Sequence, residues 1–299
     1  MTGSPDLLVR VGDRRLHGWL GGAADGLALL FQPGTPAPPV YWASLDRAAK
    51  ERGLTLLSYA RPGYSGSTRH HGRSVTDAAA DASSVMEHAE ADVFVTLGHS
   101  GGGPHALACA ALLPNQCVGT ATLGSVAPFD LFGGDWMMGM ANENVEEFTT
   151  ALQGEEALEP FLAAELDHYS AVTGEDIAAA LRGLVSDVDR KALTGELADV
   201  FARSIRRAAA DGLEGWIDDD LAFSKPWGFD LGSIETPVAI WQGRHDRMVP
   251  FAHGEWLHSH IPTSKPRLLE DEGHISLLTE RLGDILDDLV DISDTREPL

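Results

Sequence analysis

A serine lies among closely spaced glycines, in the order Gly98-His99-Ser100-Gly101-Gly102. An apolar β-type run precedes this segment, and the helix-forming run 106–113 follows it. Strand, Gly-x-Ser-x-Gly and helix in this order predict a sharp turn that exposes the serine hydroxyl as a nucleophile. Glycines would be needed there because larger side chains would collide with the neighbouring strand and helix. The amide of Gly101, at the helix N-terminus, would face a developing oxyanion.

Other uses of a glycine-rich turn are purely structural packing and phosphate binding. A phosphate loop needs a lysine followed by serine or threonine after the glycines, whereas Pro104-His105 follow here. The sequence therefore favours nucleophilic chemistry over phosphate binding at this turn.

A serine nucleophile of this type needs a histidine base and an acid that orients it, and both come later in the chain. His274 follows the last β-type run and precedes a helix-forming run. Asp246 lies in a tight turn after the preceding β-type run, and Asp130, which follows an earlier run, competes for the role of the acid. We predict Ser100 as the nucleophile, His274 as the base and Asp246 as the acid.

A second amide for the oxyanion should come from the loop after the third β-type run, Gln32-Pro33-Gly34-Thr35-Pro36. Prolines have no N–H, so Pro33 and Pro36 cannot donate. Thr35, which the following proline holds extended, is the best candidate, and Gly34 is the next. The alternative is a rigid loop that has no part in catalysis. The predicted oxyanion hole is Gly101 with Thr35 or Gly34.

Short β-type runs alternate with amphipathic segments of helical periodicity along most of the chain. This alternation predicts an α/β protein with a mostly parallel sheet that helices cover on both faces. Two leading runs, joined at Gly12-Asp13, predict an antiparallel hairpin and bring the sheet to eight strands. The runs are Leu7–Val11, Leu16–Leu20, Leu27–Phe31, Leu54–Ser58, Val93–Leu97, Val118–Leu123, Val238–Gln242 and Arg267–Leu269.

The stretch after the sixth run has no β-type pattern and is rich in Ala, Leu and Glu at helical spacing. We expect a helical cap, residues 128–228, inserted into a core domain of residues 1–127 and 229–299. Its acidic residues outnumber its basic ones, which could give a negative lid or only a solvated surface. An apolar cluster at its start could line a substrate pocket or pack the cap on the core. The cluster is Phe129, Phe132, Trp136, Met137, Met138 and Met140.

The 299-residue chain has 45 acidic residues against 22 lysines and arginines, a net charge of -23. Such a charge repels phosphate backbones and anionic lipid headgroups, so we expect neither nucleic acid nor membrane as a partner. No run reaches the ~18 apolar residues of a membrane span, and no apolar leader is evident, so we expect a cytoplasmic protein. Cys109 and Cys117 lie in apolar runs and are expected to be free thiols. We expect a small-molecule substrate, no metal or cofactor, and a monomer or homodimer.

The chain resembles the α/β-hydrolase superfamily, specifically its lidded serine hydrolases, over nearly its whole length. The likeness rests on the loop 32–36, the segment Arg61-Pro62-Gly63-Tyr64-Ser65-Gly66-Ser67, the turn at Ser100 and the Asp246/His274 pair. Relatives usually have His-Gly at positions 33–34, where this chain has Pro-Gly. The resemblance implies that the arginine-proline-glycine segment shapes the loop beside the active site. It disfavours epoxide opening and carbon–halogen cleavage, because relatives with those activities carry aspartate in place of the serine.

These features predict a serine hydrolase that cleaves a carboxylic ester, lactone or thioester of a small, neutral or apolar substrate. Three alternatives stay open. An aminopeptidase or amidase similar to proline iminopeptidases would suit an acidic lid, although those enzymes commonly carry Gly-Gly-Ser-Trp-Gly at the nucleophile. A carbon–carbon bond hydrolase would share the same three catalytic residues. A ligand-binding protein without catalysis could use the same scaffold.

Overall fold

Eight strands form one sheet in the computed structural model, which describes residues 6–133 and 136–294. The order across the sheet is β1-β2-β4-β3-β5-β6-β7-β8. The pairs β1/β2 and β2/β4 are antiparallel, and every other neighbouring pair is parallel. The strands are β1 (Asp6–Val11), β2 (Arg14–Gly22), β3 (Leu27–Gln32), β4 (Leu54–Tyr59), β5 (Phe94–His99), β6 (Cys117–Leu123), β7 (Val238–Gly243) and β8 (Ser264–Leu269). The predicted mostly parallel, eight-stranded α/β sheet is confirmed.

Thirteen α-helices surround the sheet within the described ranges. They are α1 (Ala43–Glu51), α2 (Asp77–His88), α3 (Gly102–Leu112), α4 (Phe129–Phe132), α5 (Asn142–Ala151), α6 (Glu155–Tyr169), α7 (Ile177–Ala180), α8 (Asp187–Ala192), α9 (Gly195–Asp211), α10 (Glu214–Phe223), α11 (Phe251–His260), α12 (Leu277–Glu280) and α13 (Leu282–Asp294). None of these helices has both the length and the apolar character needed to cross a membrane.

The sheet is covered on both faces because its central strands are apolar on both sides. Every residue of β5, β6 and β7 is buried, as parallel strands require. Along β3, Leu29 packs with α1 and α13, whereas the next residue, Leu30, packs with α2, α3 and α11. Successive side chains of a strand point to opposite faces, so these two helix groups cover opposite faces of the sheet.

The stretch between β6 and β7 is helical and holds α4 to α10. Helix α9 buries Leu197, Ala202 and Ile205, in the same apolar cluster as α1. Residues 177–185 do not form one continuous helix, because α7 ends at Ala180 and a short 3-10 turn follows in which Arg182 has a φ of 48°. The division into a cap of residues 128–228 and a two-part core stays a prediction.

The loops that carry the predicted catalytic residues all leave one edge of the sheet. The strands β3, β5, β7 and β8 run parallel, so their carboxyl ends lie on the same side. The register pairs Gln32 with Gly98. Gln32 directly precedes the loop of residues 33–36, and Gly98 lies two residues before Ser100. Loops at the carboxyl ends of parallel strands form the usual binding crevice in open α/β sheets.

Trp136, just after α4, packs as part of the core. Its side chain is 2% exposed, and its Nε1 donates a hydrogen bond to the carbonyl of Ala127 at 2.7 Å. Its ring lies edge-on to Phe148, with ring centres 4.7 Å apart, and contacts the rings of Phe129 and His253. A large aromatic ring with one satisfied polar atom is typical of a structural anchor.

We expect Trp136→Ala to lower the free energy of unfolding by about 3–5 kcal/mol, because it removes a buried ring and leaves a cavity. Urea denaturation measures this change. Met138→Ala is the control in the same segment, since Met138 is 69% exposed; its effect should stay within about 0.5 kcal/mol. Equal stabilities for the two variants would contradict the anchoring role of Trp136.

Candidate active site

Ser100 lies at the end of β5 in a backbone conformation that side chains rarely adopt. Its φ is 53°, in the left-handed region. A Cβ at Gly98 would lie 2.4 Å from the carbonyl oxygen of Gly102, and one at Gly102 would lie 2.0 Å from that of Gln32. Both positions therefore require glycine, as the sequence predicted. The tight turn exposes the serine hydroxyl at the N-terminus of α3.

Asp246 and His274 are hydrogen-bonded to each other. His274 Nδ1 lies 2.7 Å from Asp246 Oδ2, and both side chains are buried. Asp246 Oδ1 accepts the amides of Met248 and Val249 at 2.9 and 2.8 Å, and Gln242 Nε2 donates to Oδ2 at 3.0 Å. Burial raises the pKa of Asp246 above its usual value, whereas the charge of His274 and these hydrogen bonds favour the ionised form. The hydrogen bonds also hold the carboxylate in one orientation. If Nδ1 carries the proton toward Asp246, Nε2 is left free to accept one.

The competing acid Asp130 has no comparable position. It lies in the short helix α4, and the described residues include no contact between its carboxylate and His274. The geometry therefore favours Asp246 as the partner of the histidine.

The charge of Asp246 tunes the basicity of His274. Burial by itself lowers the pKa of His274, but the charge of Asp246 and the hydrogen bond to it outweigh that effect. The pKa of His274 therefore lies above its ordinary value of 6.5. The neighbouring His99 behaves oppositely: burial, and next the proximity of His274, lower the pKa of His99 to about 3. His99 is thus neutral, and its Nε2 lies 3.3 Å from the backbone oxygen of His274.

Gly124, at the end of β6, makes room for this pair. Its φ is 54°, and a Cβ there would lie 2.6 Å from His274 Nδ1 and 3.0 Å from Asp246 Oδ2. Only glycine fits at this position without displacing the hydrogen-bonded pair. The role of Gly124 was not predicted from the sequence, although a glycine directly after a buried strand is the feature that could have indicated it.

Residues 33–36, the oxyanion loop, lie beside Ser100. A Cβ at Gly34 would come within 3.1 Å of Ser100 Cβ, and one at Gly101 within 2.5 Å of Thr35 Oγ1. The described residues provide no hydrogen-bond acceptor for the backbone amides of Gly34, Thr35 and Gly101. These three amides are therefore available to an oxyanion next to the serine.

A buried charge network lies next to the oxyanion loop, and its central member, Asp219, was not predicted from the sequence. Arg61 donates to the carbonyls of Pro33 and Gly34 at 2.6 and 2.7 Å, and to Asp219 of α10 at 2.6 Å. Burial would raise the pKa of Asp219, but the charges of Arg61 and Arg73 outweigh burial and hold it below its usual range. Three consecutive aspartates in an apolar helix, positions 218–220, are the pattern that could have indicated this network.

Ser100 and His274 line one cavity, with a volume of about 160 Å³. The oxyanion loop forms part of its wall, and Glu147 is the one carboxylate among the described residues that line it. Most of the wall is apolar and comes from both the core and the helices between β6 and β7. The apolar lining includes Trp19, Trp42, Leu197, Phe201, Trp216 and Met248.

The apolar cluster at the start of the predicted cap does not line this cavity. This corrects the expectation that the cluster forms the substrate pocket. Its members are absent from the cavity wall and instead pack around α11 and β7, apart from Met138 on the surface. Phe132, for example, stacks on the His253 ring with centres 4.6 Å apart. The alternative of cap-to-core packing therefore describes them better. The residues concerned are Phe129, Phe132, Trp136, Met137 and Met140.

Comparison with known proteins agrees with this architecture. Residues 28–281 match the family model described as alpha/beta hydrolase fold. No curated protein sequence matches the chain significantly.

Solved structures share the fold at low sequence identity. A bromoperoxidase from Bacillus anthracis is 20% identical, with a TM-score of 0.69 over 96% of this chain and 100% of that one. A thermophilic esterase from Thermogutta terrifontis is 16% identical, with a TM-score of 0.67 over 98% and 100%. An enol-lactonase from Burkholderia xenovorans LB400 is 18% identical, with a TM-score of 0.67 over 96% and 99%. With the family model matching most of its length, this chain belongs to the α/β hydrolase fold family.

Proposed function

We propose that this protein is a serine hydrolase that cleaves a carboxylic ester, lactone or thioester through an acyl-enzyme intermediate. One observation carries the proposal: His274, hydrogen-bonded at 2.7 Å to Asp246, lines the same cavity as a Ser100 held at a φ of 53°. Membership of the α/β hydrolase fold family supports a hydrolase in general. The esterase and the lactonase among the structural neighbours are compatible with ester chemistry.

In the proposed mechanism, Ser100 Oγ attacks the carbonyl carbon of the substrate while His274 Nε2 takes the hydroxyl proton. The carbonyl π electrons move to oxygen, and the amides of Gly101 and of Thr35 or Gly34 stabilise that oxyanion. When the oxyanion collapses, the bond to the alcohol or thiol breaks, and His274 gives its proton to the leaving group. Water then repeats the sequence on the acyl-enzyme, releases the acid and regenerates Ser100.

The apolar cavity wall supports a small, neutral or apolar substrate. Trp42, Phe201 and Trp216 offer ring surfaces to an acyl or alcohol group. The net charge of -23 disfavours large anionic substrates by long-range repulsion. A small molecule is the proposed partner, and the cytoplasm is the proposed location.

A fluorophosphonate should label the purified protein once, at Ser100, because only an activated serine attacks phosphorus rapidly. Intact-mass spectrometry and peptide mapping measure this adduct. Ser100→Ala and His274→Ala should abolish labelling, whereas Ser259→Ala, on the exposed end of α11, should label like the wild type. Absence of an adduct on the wild type would contradict the proposed chemistry and favour a ligand-binding role.

The rate of hydrolysis should depend on the protonation of His274. Because His274 must be neutral to accept the serine proton, kcat/KM should fall about tenfold per pH unit below its pKa. That pKa should lie above 6.5, since Asp246 raises it. In Asp246→Asn the midpoint should move to lower pH, and kcat should fall about 10³- to 10⁴-fold.

His245→Gln is the control for this pH profile, because His245 is exposed and lies in the same turn. Within the described part of the chain it has no hydrogen bond or ring contact with His274. It should leave the midpoint unchanged. A midpoint that stayed in place in Asp246→Asn would mean that another group controls the profile.

Glu147 favours a second candidate, the hydrolysis of amine-bearing esters or amides. Glu147 lines the cavity, and its carboxylate accepts a hydrogen bond from Trp216 Nε1 at 2.7 Å. Burial raises the pKa of the adjacent Asp220 well above its usual value, and the charge of Glu147 raises it further. Burial also raises the pKa of Glu147, but its hydrogen bonds with Asp220 and Trp216 act in the opposite direction. Because the pKa of Asp220 is raised further, we infer that Asp220 keeps the proton of the pair and that Glu147 carries the negative charge offered to a substrate ammonium group.

For a pair of matched esters that differ only in an amino group, Glu147→Gln separates the two candidates. If the natural substrate carries an amine, KM for the amino ester should rise about 10- to 100-fold, while the neutral ester is unaffected. Steady-state kinetics measure both constants. If the wild type and Glu147→Gln each had equal KM values for the two esters, the amine-binding role would be excluded. The neutral ester would then remain as the substrate class.

A further inference from the structure

We propose that Asp219 is a positioning residue for hydrolysis, which holds the oxyanion loop in its donating geometry through Arg61. This inference rests on the proposed function, because the loop matters only if an oxyanion forms beside Ser100. Asp219 lies in α10, within the predicted cap, whereas Arg61 and the loop follow strands of the sheet. Docking of this helix would then be a condition for catalysis and not only a cover for the cavity.

The Arg61 guanidinium connects Asp219 to the loop. Its Nη1 donates to the carbonyl of Pro33 at 2.6 Å, and its Nη2 donates to the carbonyl of Gly34 at 2.7 Å. Its Nε and Nη2 both reach Asp219, at 3.0 and 2.6 Å. Arg61 is 4% exposed, so these acceptors and Thr35 Oγ1 at 2.9 Å take the place of water.

Holding those two carbonyls fixes the two candidate amide donors. The carbonyl of Pro33 and the N–H of Gly34 belong to one peptide unit, and the carbonyl of Gly34 and the N–H of Thr35 belong to the next. A trans peptide is planar, so its C=O and N–H point in opposite directions. Both carbonyls point at Arg61, so both amides point away from it, and neither has an acceptor among the described residues.

Asp219 in turn holds Arg61 in place. Its carboxylate accepts hydrogen bonds from Arg61, from Arg73 Nη2 at 2.5 Å, from Thr35 Oγ1 at 2.7 Å and from Tyr64 OH at 3.1 Å. The Asp219 side chain has no exposed surface. Without its charge, two buried guanidinium groups would lack their counter-ion and would have to move toward water, which would release the carbonyls.

The neighbouring Asp218 supplies a comparison within the same helix. It forms a two-point ion pair with Arg69, with distances of 2.9 and 3.0 Å, and its side chain is 1% exposed. Neither Asp218 nor Arg69 contacts the oxyanion loop in the described structure. Both aspartates therefore tie α10 to residues 61–73, but only Asp219 reaches the loop.

The test compares Asp219→Asn with Asp218→Asn on a neutral ester, recording kcat, KM and Tm for each. Misplacing oxyanion donors should lower kcat in Asp219→Asn about 10²-fold, with KM changed less than about threefold. Asp218→Asn should lower Tm but keep kcat within about threefold of the wild type. The proposal would be overturned if kcat fell in proportion to the loss of Tm in both variants.

A boronic acid inhibitor supplies a readout that stability alone would not move, because its adduct with Ser100 places an oxygen in the oxyanion hole. Its dissociation constant should rise in Asp219→Asn by the same factor as kcat/KM falls, and should not change in Asp218→Asn. Should Asp219→Asn fail to fold, Arg61→Lys keeps the positive charge but loses the two-point contact, and we expect the same loss of kcat. Wild-type kcat in Arg61→Lys would overturn the proposal.

An NMR measurement tests the positioning role separately from the proposed function. The amide chemical shifts of Gly34 and Thr35 should move in Asp219→Asn and stay in place in Asp218→Asn, whether or not the protein hydrolyses esters. Unchanged shifts in both variants would overturn the positioning role. A different result would contradict only the serine hydrolase assignment: a wild type that neither hydrolyses esters nor reacts with the fluorophosphonate, while the Gly34 and Thr35 shifts still move in Asp219→Asn.

Discussion

The arrangement of the site depends on a close backbone approach between the turn after β5 and the end of β3. Glycines at 98 and 102 allow the N-terminus of α3 to lie against the carbonyl of Gln32, at distances that no side chain could tolerate. This contact brings Ser100 and the oxyanion loop to one place, because Gln32 leads directly into that loop. Steric exclusion, more than any attractive interaction, therefore sets the relative position of nucleophile and oxyanion donors.

Buried ion pairs connect α10 to the loops that follow the strands of the sheet. Three consecutive aspartates lie on this helix with almost no exposed surface, and their charges are compensated in two different ways. Asp218 and Asp219 pair with arginines, whereas Asp220 keeps its proton beside Glu147. Breaking a buried pair leaves an uncompensated charge, so these contacts tolerate few alternative placements of the helix. The same helix supplies Trp216 to the cavity wall, which links substrate contact to this charge network.

The cavity shows why apolar residues near a predicted lid are a weak guide to substrate contacts. The cluster around Trp136 has the composition of a binding pocket, yet it fills the space between α4, α11 and β7. The wall beside Ser100 comes instead from residues far apart in the chain, such as Trp42 and Phe201. An apolar side chain meets either a core or a cavity, and composition alone does not distinguish the two environments.

The sequence by itself determined the strands, the parallel sheet and the turn at Ser100, because these follow from local periodicity and from glycines required by local sterics. Chain order also indicated Asp246 and His274, which the sheet brings within hydrogen-bond distance. Tertiary structure alone decided that Gly124 makes room for this pair, that Glu147 lines the cavity and that Asp219 pairs with Arg61, 158 positions away. Charge pairing and cavity lining depend on distances between remote segments, and these are fixed only when the helices pack on the sheet.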